Sequence, residues 1–89
     1  MTNPTELMSF AAFWACAGDA IGVSTAGIEP PTRLSADLDL DSLHVVELIV
    51  FLEEEMGCDV PEDLVPVLIT ADDVYAHYVT RTTNSRGLR

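Results

Sequence analysis

The sequence predicts an all-α domain of three main helices and one short helix. Apolar residues recur at spacings of three and four in three separate segments. Residues that start or stop helices bracket those segments: Pro4, Gly22, Asp41, Gly57 and Thr70. No stretch alternates apolar and polar residues for long enough to build a sheet. With 89 residues, 48% of them hydrophobic, the chain has material for one small core and one domain. A domain of this size buries a smaller share of its surface than a large one, so modest stability is expected.

The first helix is expected from Pro4-Thr5-Glu6 onward, with its pattern in Leu7–Val23. Leu7, Phe10, Ala11, Trp14 and Ile21 fall near one helical face. Gly18 and Gly22 weaken this helix, and Gly22 is expected near its end. Residues 24–41 form a long connection containing Gly27 and Pro30-Pro31. Ile28, Leu34, Leu38 and Leu40 can pin it to the core, as a packed or functional loop requires. The second helix is the clearest element. Asp41 suits its N-cap, Ser42 follows, and Gly57 suits the left-handed position after Met56. Val45, Leu48, Ile49, Leu52 and Met56 make its core stripe. Leu43, Val46 and Val50 fall outside the stripe beside Glu47, Glu53 and Glu54, giving a second, mixed apolar and acidic face. Pro61-Glu62-Asp63 can open a short third helix with proline in its first position, and Pro66 limits it to a turn or two. Thr70-x-x-Asp73 reads as a capping box for a last helix that ends near Val79 and buries some of Val74, Tyr75, Tyr78 and Val79. Residues 1–80 are expected to form the domain, with 81–89 a flexible C-terminal tail.

The charge is lopsided. Fifteen acidic residues stand against four basic ones, for a net charge of −11. Three of the four arginines lie at 81, 86 and 89, so Arg33 alone faces all the acids within residues 1–80. Such a surface repels phosphate, which excludes unaided nucleic-acid binding and argues against anionic membrane. It favours partners with basic patches. Cys16 and Cys58 are too few for a disulfide framework, and both are expected as buried free thiols. The start of the chain lacks a basic n-region, and the apolar run Leu7–Ala17 is too short to span a bilayer, so a cytoplasmic protein is expected.

The segment Asp37-Leu-Asp-Leu-Asp-Ser-Leu43, followed by His44-Val-Val-Glu-Leu48, resembles the phosphopantetheine attachment site of acyl carrier proteins. Gly22-Val23, the long loop, Leu52-Glu53-Glu54-Glu55, Val60-Pro61 and a late Tyr78 follow in that family's order, so the resemblance covers about Leu7 to Val79. It implies a four-helix bundle of acyl-carrier type whose serine, Ser42 by position, takes a covalent 4′-phosphopantetheine arm from coenzyme A. The arm's thiol would hold acyl or polyketide intermediates as thioesters, and the protein would present them without catalysing anything. The resemblance also implies partners: a phosphopantetheinyl transferase, then acyltransferases, ketosynthases or other pathway enzymes with basic docking patches. The partner-reading set by position is Asp41, Leu43, Glu47, Val50, Glu53 and Glu54, on a freestanding, type II-like monomer. Physical reasoning agrees at Ser42, because the free N–H groups and dipole of a helix start favour an anionic phosphodiester.

The chain departs from the family pattern at two places. The family usually has glycine where this chain has Asp39, and acidic and small residues where it reads Leu64-Val65-Pro66-Val67-Leu68. The four aliphatic residues of that segment are expected to form a partly exposed apolar rim near the second helix. Other chemistries fit worse. Asp37-x-Asp39-x-Asp41 opens like a calcium loop, but Ser42 and Leu48 stand where that loop needs glycine and glutamate, so no metal site is expected. Ser42 and His44, two apart on a helix, diverge and cannot form a hydrolase dyad. His44 and His77 are read as solvent-facing residues. An aminoacyl or peptidyl carrier of a nonribosomal system is the alternative within the same chemistry, and Glu47 with Glu53–Glu55 favours the acyl type. A non-enzymatic acidic interaction module lacking the arm is the alternative of another class.

Overall fold

The computed structural model describes residues 7–87, in the order α1 (Phe10–Ile21), α2 (Ser42–Met56), a short 3₁₀ helix η1 (Glu62–Val67) and α3 (Ala71–Gly87). Among the described residues the only extended pairing is one isolated antiparallel bridge, Arg33 with Thr70. No described helix is long and apolar enough to cross a membrane.

Helix α1 starts later than its composition suggested. Ser9 is the N-cap, its hydroxyl accepting the Ala12 N–H at 3.2 Å, and Leu7 and Met8 precede the helix. The expected start at Pro4-Thr5-Glu6 lies outside the described residues. Tyr75 donates its hydroxyl to the Met8 carbonyl at 2.7 Å, and the Tyr78 hydroxyl accepts the Met8 N–H at 2.9 Å. Both bonds hold the approach to α1 against α3. The face of α1 that is buried is Phe13, Trp14, Ala17, Gly18 and Ile21. Ala11, expected on that face, is exposed. Phe13 is the hub of the aromatic packing, with Trp14, Phe51, Tyr75 and Tyr78 all within 4.8–5.6 Å between ring centres. Cys16 lies off this face and is exposed, and Cys58 is half-buried, so neither is the buried thiol expected from its apolar neighbours.

Gly18 has a packing role inside the helix. A Cβ there would stand 2.7 Å from the Val23 carbonyl oxygen and 2.9 Å from Thr25 Oγ1. The chain therefore folds back directly over Gly18, and Thr25 donates its hydroxyl to the Trp14 carbonyl at 2.8 Å. Gly18→Ala should destabilise the protein by about 1–3 kcal/mol, because the overpacking outweighs alanine's gain in helix propensity of roughly 1 kcal/mol. Urea denaturation followed by circular dichroism measures this. A Gly18→Ala variant more stable than wild type would mean the 22–25 turn yields freely.

The loop from Gly22 to Asp41 is packed, as its apolar residues suggested. Leu34 and Leu40 are buried, and Ile28 and Leu38 pack against the core. The loop is also tied to the start of α3. Ala71 N–H donates to the Thr32 carbonyl at 2.8 Å, Asp72 N–H to Pro30 at 2.9 Å, and Leu34 N–H to Ile69 at 3.0 Å.

Helix α2 runs from the Asp41 cap to Gly57, whose φ of 75° ends it. Leu48, Phe51, Leu52 and Met56 are buried, so Phe51 joins the core beside the expected stripe, while Val45 and Ile49 are half-buried. The segment after Pro61 is a 3₁₀ helix. Pro61 is its cap and not its first helical residue, and Pro66 lies within it. Thr70 and Asp73 form the expected reciprocal box. Asp73 N–H donates to Thr70 Oγ1 at 3.1 Å, and Thr70 N–H donates to Asp73 Oδ2 at 2.9 Å. Helix α3 continues to Gly87, beyond the expected end near Val79, so residues 81–87 extend the helix that was expected to give way to a tail. His77 is half-buried with its Nε2 atom out of solvent, not the surface residue expected.

Candidate functional site

Asp41 organises the start of α2. Its backbone is extended, and its carboxylate accepts the His44 N–H at 2.9 Å. His44 Nδ1 in turn accepts the Asp41 N–H at 3.4 Å and lies 3.1 Å from Asp41 Oδ1. The pair is a capping box with histidine in the position usually held by glutamate or glutamine. Sequence reasoning found the aspartate and missed the histidine, because its role depends on a ring nitrogen acting as acceptor.

This cap decides how Ser42 is read. A serine at a helix start is most often a cap, but here Asp41 performs that task. Ser42 is the first helical residue, exposed, and its hydroxyl makes no hydrogen bond among the described residues. It stands at the positive end of the α2 dipole, where an attached phosphate is favoured. Ser42 thus combines an exposed hydroxyl, a helix start and a packed loop before it.

The turn leading to Ser42 explains the first departure from the family pattern. Asp39 has φ of 57°, the one non-glycine residue with positive φ among the described residues. On either side, Leu38 N–H donates to the Arg33 carbonyl at 3.2 Å and Leu40 N–H to the Leu34 carbonyl at 3.1 Å. The chain must reverse between these bonds, and glycine is the residue that reverses it at least cost. Aspartate tolerates this conformation better than most residues. Asp39→Gly should therefore stabilise the protein by about 0.5–1 kcal/mol. Comparing urea midpoints with Asp39→Asn, which removes the charge and keeps a side chain, separates backbone relief from charge relief. Equal midpoints for the two variants would assign the gain to charge.

The three aspartates of the calcium-like segment do different work. Asp37 Oδ2 accepts the Arg33 N–H at 2.8 Å, Asp39 makes the turn, and Asp41 caps the helix. Among the described residues no three His, Cys, Asp or Glu groups gather to hold a metal ion.

Beyond Ser42, α2 presents the mixed face expected from its spacing. Leu43 is 64% exposed, Val46 57% and Val50 47%, with Glu47 and Glu54 exposed along the same side. Ala20 of α1 joins Val46, Glu47, Val50, Phe51 and Glu54 around a shallow groove of about 240 Å³. Glu53 differs from its neighbours. It is half-buried, and its carboxylate accepts the Val60 N–H at 3.0 Å, tying the link after Gly57 to α2. On the other side of α2, none of Leu64, Val65, Val67 and Leu68 is buried, and Val67 is 56% exposed, in line with the expected apolar rim. Ile69, which sequence reasoning passed over, is 55% exposed beside them.

The two capping carboxylates contribute to the acid response. Asp41 is held below the ordinary 3.8 chiefly by the His44 N–H, and Asp73 below 3.8 chiefly by the Thr70 N–H. Both bind protons less readily in the folded chain than in the unfolded one. Their contribution to stability is therefore complete above 3.8 and is lost as pH falls through their lower folded-state values. His77 acts in the same sense at higher pH. Desolvation, and then the charge of Arg81, holds it below 6.5, so protonation there favours the unfolded chain. Urea midpoints measured from neutral pH down to acid should show a shallower loss below 3.8 for the Asp41→Asn, Asp73→Asn double variant than for wild type. Parallel curves would show that the caps do not titrate with folding.

The phosphopantetheine attachment site family matches residues 13–77 of this chain. An acyl carrier protein of Acidothermus cellulolyticus is 33% identical over 67 residues, covering 75% of this chain and 80% of that protein. One from Rhodopseudomonas palustris is 38% identical over 58 residues, covering 60% of this chain and 73% of that protein. One from a Picosynechococcus species is 34% identical over 55 residues, covering 62% and 68%.

Proposed function

This chain belongs to the acyl carrier protein family, whose members carry a covalent 4′-phosphopantetheine arm and are not catalysts, and on that premise we propose that Ser42 bears the arm. One observation carries the assignment: Asp41 and His44 satisfy the helix start between them, which leaves the exposed Ser42 hydroxyl free. The arm supplies the thiol on which cargo rides, and this chain supplies an anchored hydroxyl, a favourable dipole and a surface for other enzymes to read.

The cargo we propose is an acyl or polyketide intermediate held as a thioester. The acidic outward face of α2 supports this over an aminoacyl or peptidyl carrier. The docking surface is Asp41, Leu43, Glu47, Val50 and Glu54, with Val46 between them. Glu53 belongs to this surface by position, but its carboxylate is engaged with Val60. Partners are a phosphopantetheinyl transferase and pathway enzymes with basic patches, met in the cytoplasm. Salt-sensitive, fast encounter follows from the charge.

The test is the intact mass of the protein isolated from its own host, followed by peptide mapping. The expected result is one phosphopantetheine on the peptide containing Ser42, with an acyl or ketoacyl load. An aminoacyl load would move the protein to nonribosomal synthesis. A native protein with no arm would favour the interaction module.

A further inference from the structure

His44 makes two close approaches to Asp41 through one atom. Its Nδ1 lies 3.4 Å from the Asp41 backbone nitrogen, whose N–H it accepts, and 3.1 Å from Asp41 Oδ1. The two contacts need opposite proton states. A bare Nδ1 accepts from the backbone N–H but repels the carboxylate oxygen, because both are then acceptors. A protonated Nδ1 donates to Oδ1 but has no lone pair left for the N–H. Glutamine, a usual residue at this place in a capping box, accepts with an oxygen that takes no proton near neutrality. Histidine is the side chain whose charge ordinarily changes between about pH 5 and 8.

The surroundings leave this pair to itself. The His44 side chain is 32% exposed and that of Asp41 68%, so both reach solvent. Helices α1 and α3 pack against α2. The titratable or charged side chains they bring are Cys16 and Asp19 from α1, and Asp72, Asp73, Tyr75, His77, Tyr78 and Arg81 from α3. The loop adds Asp37 and Asp39, and Glu47 follows one turn along α2. Among the described residues, Asp41 is the one carboxylate within ion-pair distance of the His44 ring.

We propose that His44 is a positioning residue for attachment at Ser42, its proton setting how Asp41 is presented to the enzyme that loads the arm. The inference rests on the carrier reading and deepens it by adding control over that site. With the ring neutral and Nδ1 bare, His44 holds the Asp41 backbone, and the exposed carboxylate keeps its full charge for a basic partner. When the ring takes a proton from solvent at Nδ1, the imidazolium donates to Oδ1. It then releases the Asp41 N–H and offsets the charge beside Ser42. Loading weakens in acid through KM, since the reacting hydroxyl is unaltered.

The experiment follows loading of the full-length protein by one phosphopantetheinyl transferase, with coenzyme A and Mg²⁺, from about pH 5.5 to 8. Wild type is compared with His44→Gln, which keeps an acceptor but does not titrate, and with His44→Ala, which loses the acceptor. Dividing kcat/KM of wild type by that of His44→Gln cancels the transferase's own pH dependence. The ratio should fall about two- to five-fold from the neutral to the acid end, in KM, the range expected for one exposed ion pair. At the neutral end His44→Gln should load faster than His44→Ala. In nuclear magnetic resonance spectra of the unloaded wild type, the Asp41 amide should shift with the same midpoint as the His44 ring. A flat ratio, equal loading of the two variants, or an Asp41 amide that ignores the ring overturns the inference and leaves the carrier reading intact. A protein that takes no arm overturns both.

Discussion

Incubated with coenzyme A, Mg²⁺ and a broad phosphopantetheinyl transferase, the wild-type protein should gain the mass of one phosphopantetheine, and Ser42→Ala should gain none. The effect is all-or-none because the new phosphodiester needs the oxygen that the substitution removes. The fold should survive, for a reason visible at the start of α2. Ser42 is exposed, and the cap is made by Asp41 and His44, so alanine removes no structural hydrogen bond. The stability change should stay within about 0.5 kcal/mol, as for surface positions that serve no special role. Circular dichroism of Ser42→Ala then distinguishes a lost site from a lost fold. The new thiol must be counted against Cys16, which is exposed and should react with thiol reagents before any loading. A Cys16→Ser, Cys58→Ser background makes the appearance of the arm's thiol unambiguous. Wild type left unmodified by several active transferases, or Ser42→Ala still modified, would move the site elsewhere.

The parts of this fold that were legible in the sequence are those with chemical punctuation at both ends. Helix α2 has a strong N-cap residue, a glycine stop and an apolar stripe between them, and the structure places Asp41, Ser42 and Gly57 where their chemistry suggested. Thr70 and Asp73 were legible for the same reason. Helix α1 was harder because apolar residues surround it. Ala11 fits the spacing as well as Phe13 does, and only packing tells that Phe13 meets four other rings while Ala11 faces outward. Cys16 was misjudged on the same ground, since an apolar neighbourhood in sequence is not one in space. The site shows the same division. The serine's place at the start of α2 was legible from the cap before it, and the mixed face of α2 from its spacing. The His44 cap and the Glu53 bond to Val60 were not, because each depends on a side chain reaching a backbone group.

Trp14→Ala should bring the domain to the edge of unfolding, with Trp14→Phe falling between it and wild type. Trp14 is fully buried and joins three parts of the chain. Its indole N–H donates to the Ala71 carbonyl at the start of α3 at 3.3 Å. Its own carbonyl accepts the Thr25 hydroxyl from the loop, and its ring meets Phe13 edge-on at 5.3 Å. Truncation to alanine removes the ring at a cost of about 3–5 kcal/mol. It also removes the indole N–H from the Ala71 carbonyl, which keeps its partner within α3, at about 0.5–1.5 kcal/mol. At the usual stability of roughly 0.05–0.15 kcal/mol per residue, a chain of this length has only about 4–13 kcal/mol to lose. Phenylalanine keeps most of the packing and loses the N–H, so Trp14→Phe reads mainly the hydrogen bond, at about 0.5–1.5 kcal/mol. Urea titration followed by circular dichroism gives the order without relying on the tryptophan signal. Trp14→Phe equal to wild type would show that the Ala71 bond contributes nothing. Because Trp14 lies in α1 and the proposed attachment serine begins α2, Trp14→Phe should still accept the arm wherever it remains folded. Loading that fell with the substitution while the helical signal held would mean that the α1–α3 contact also positions the start of α2.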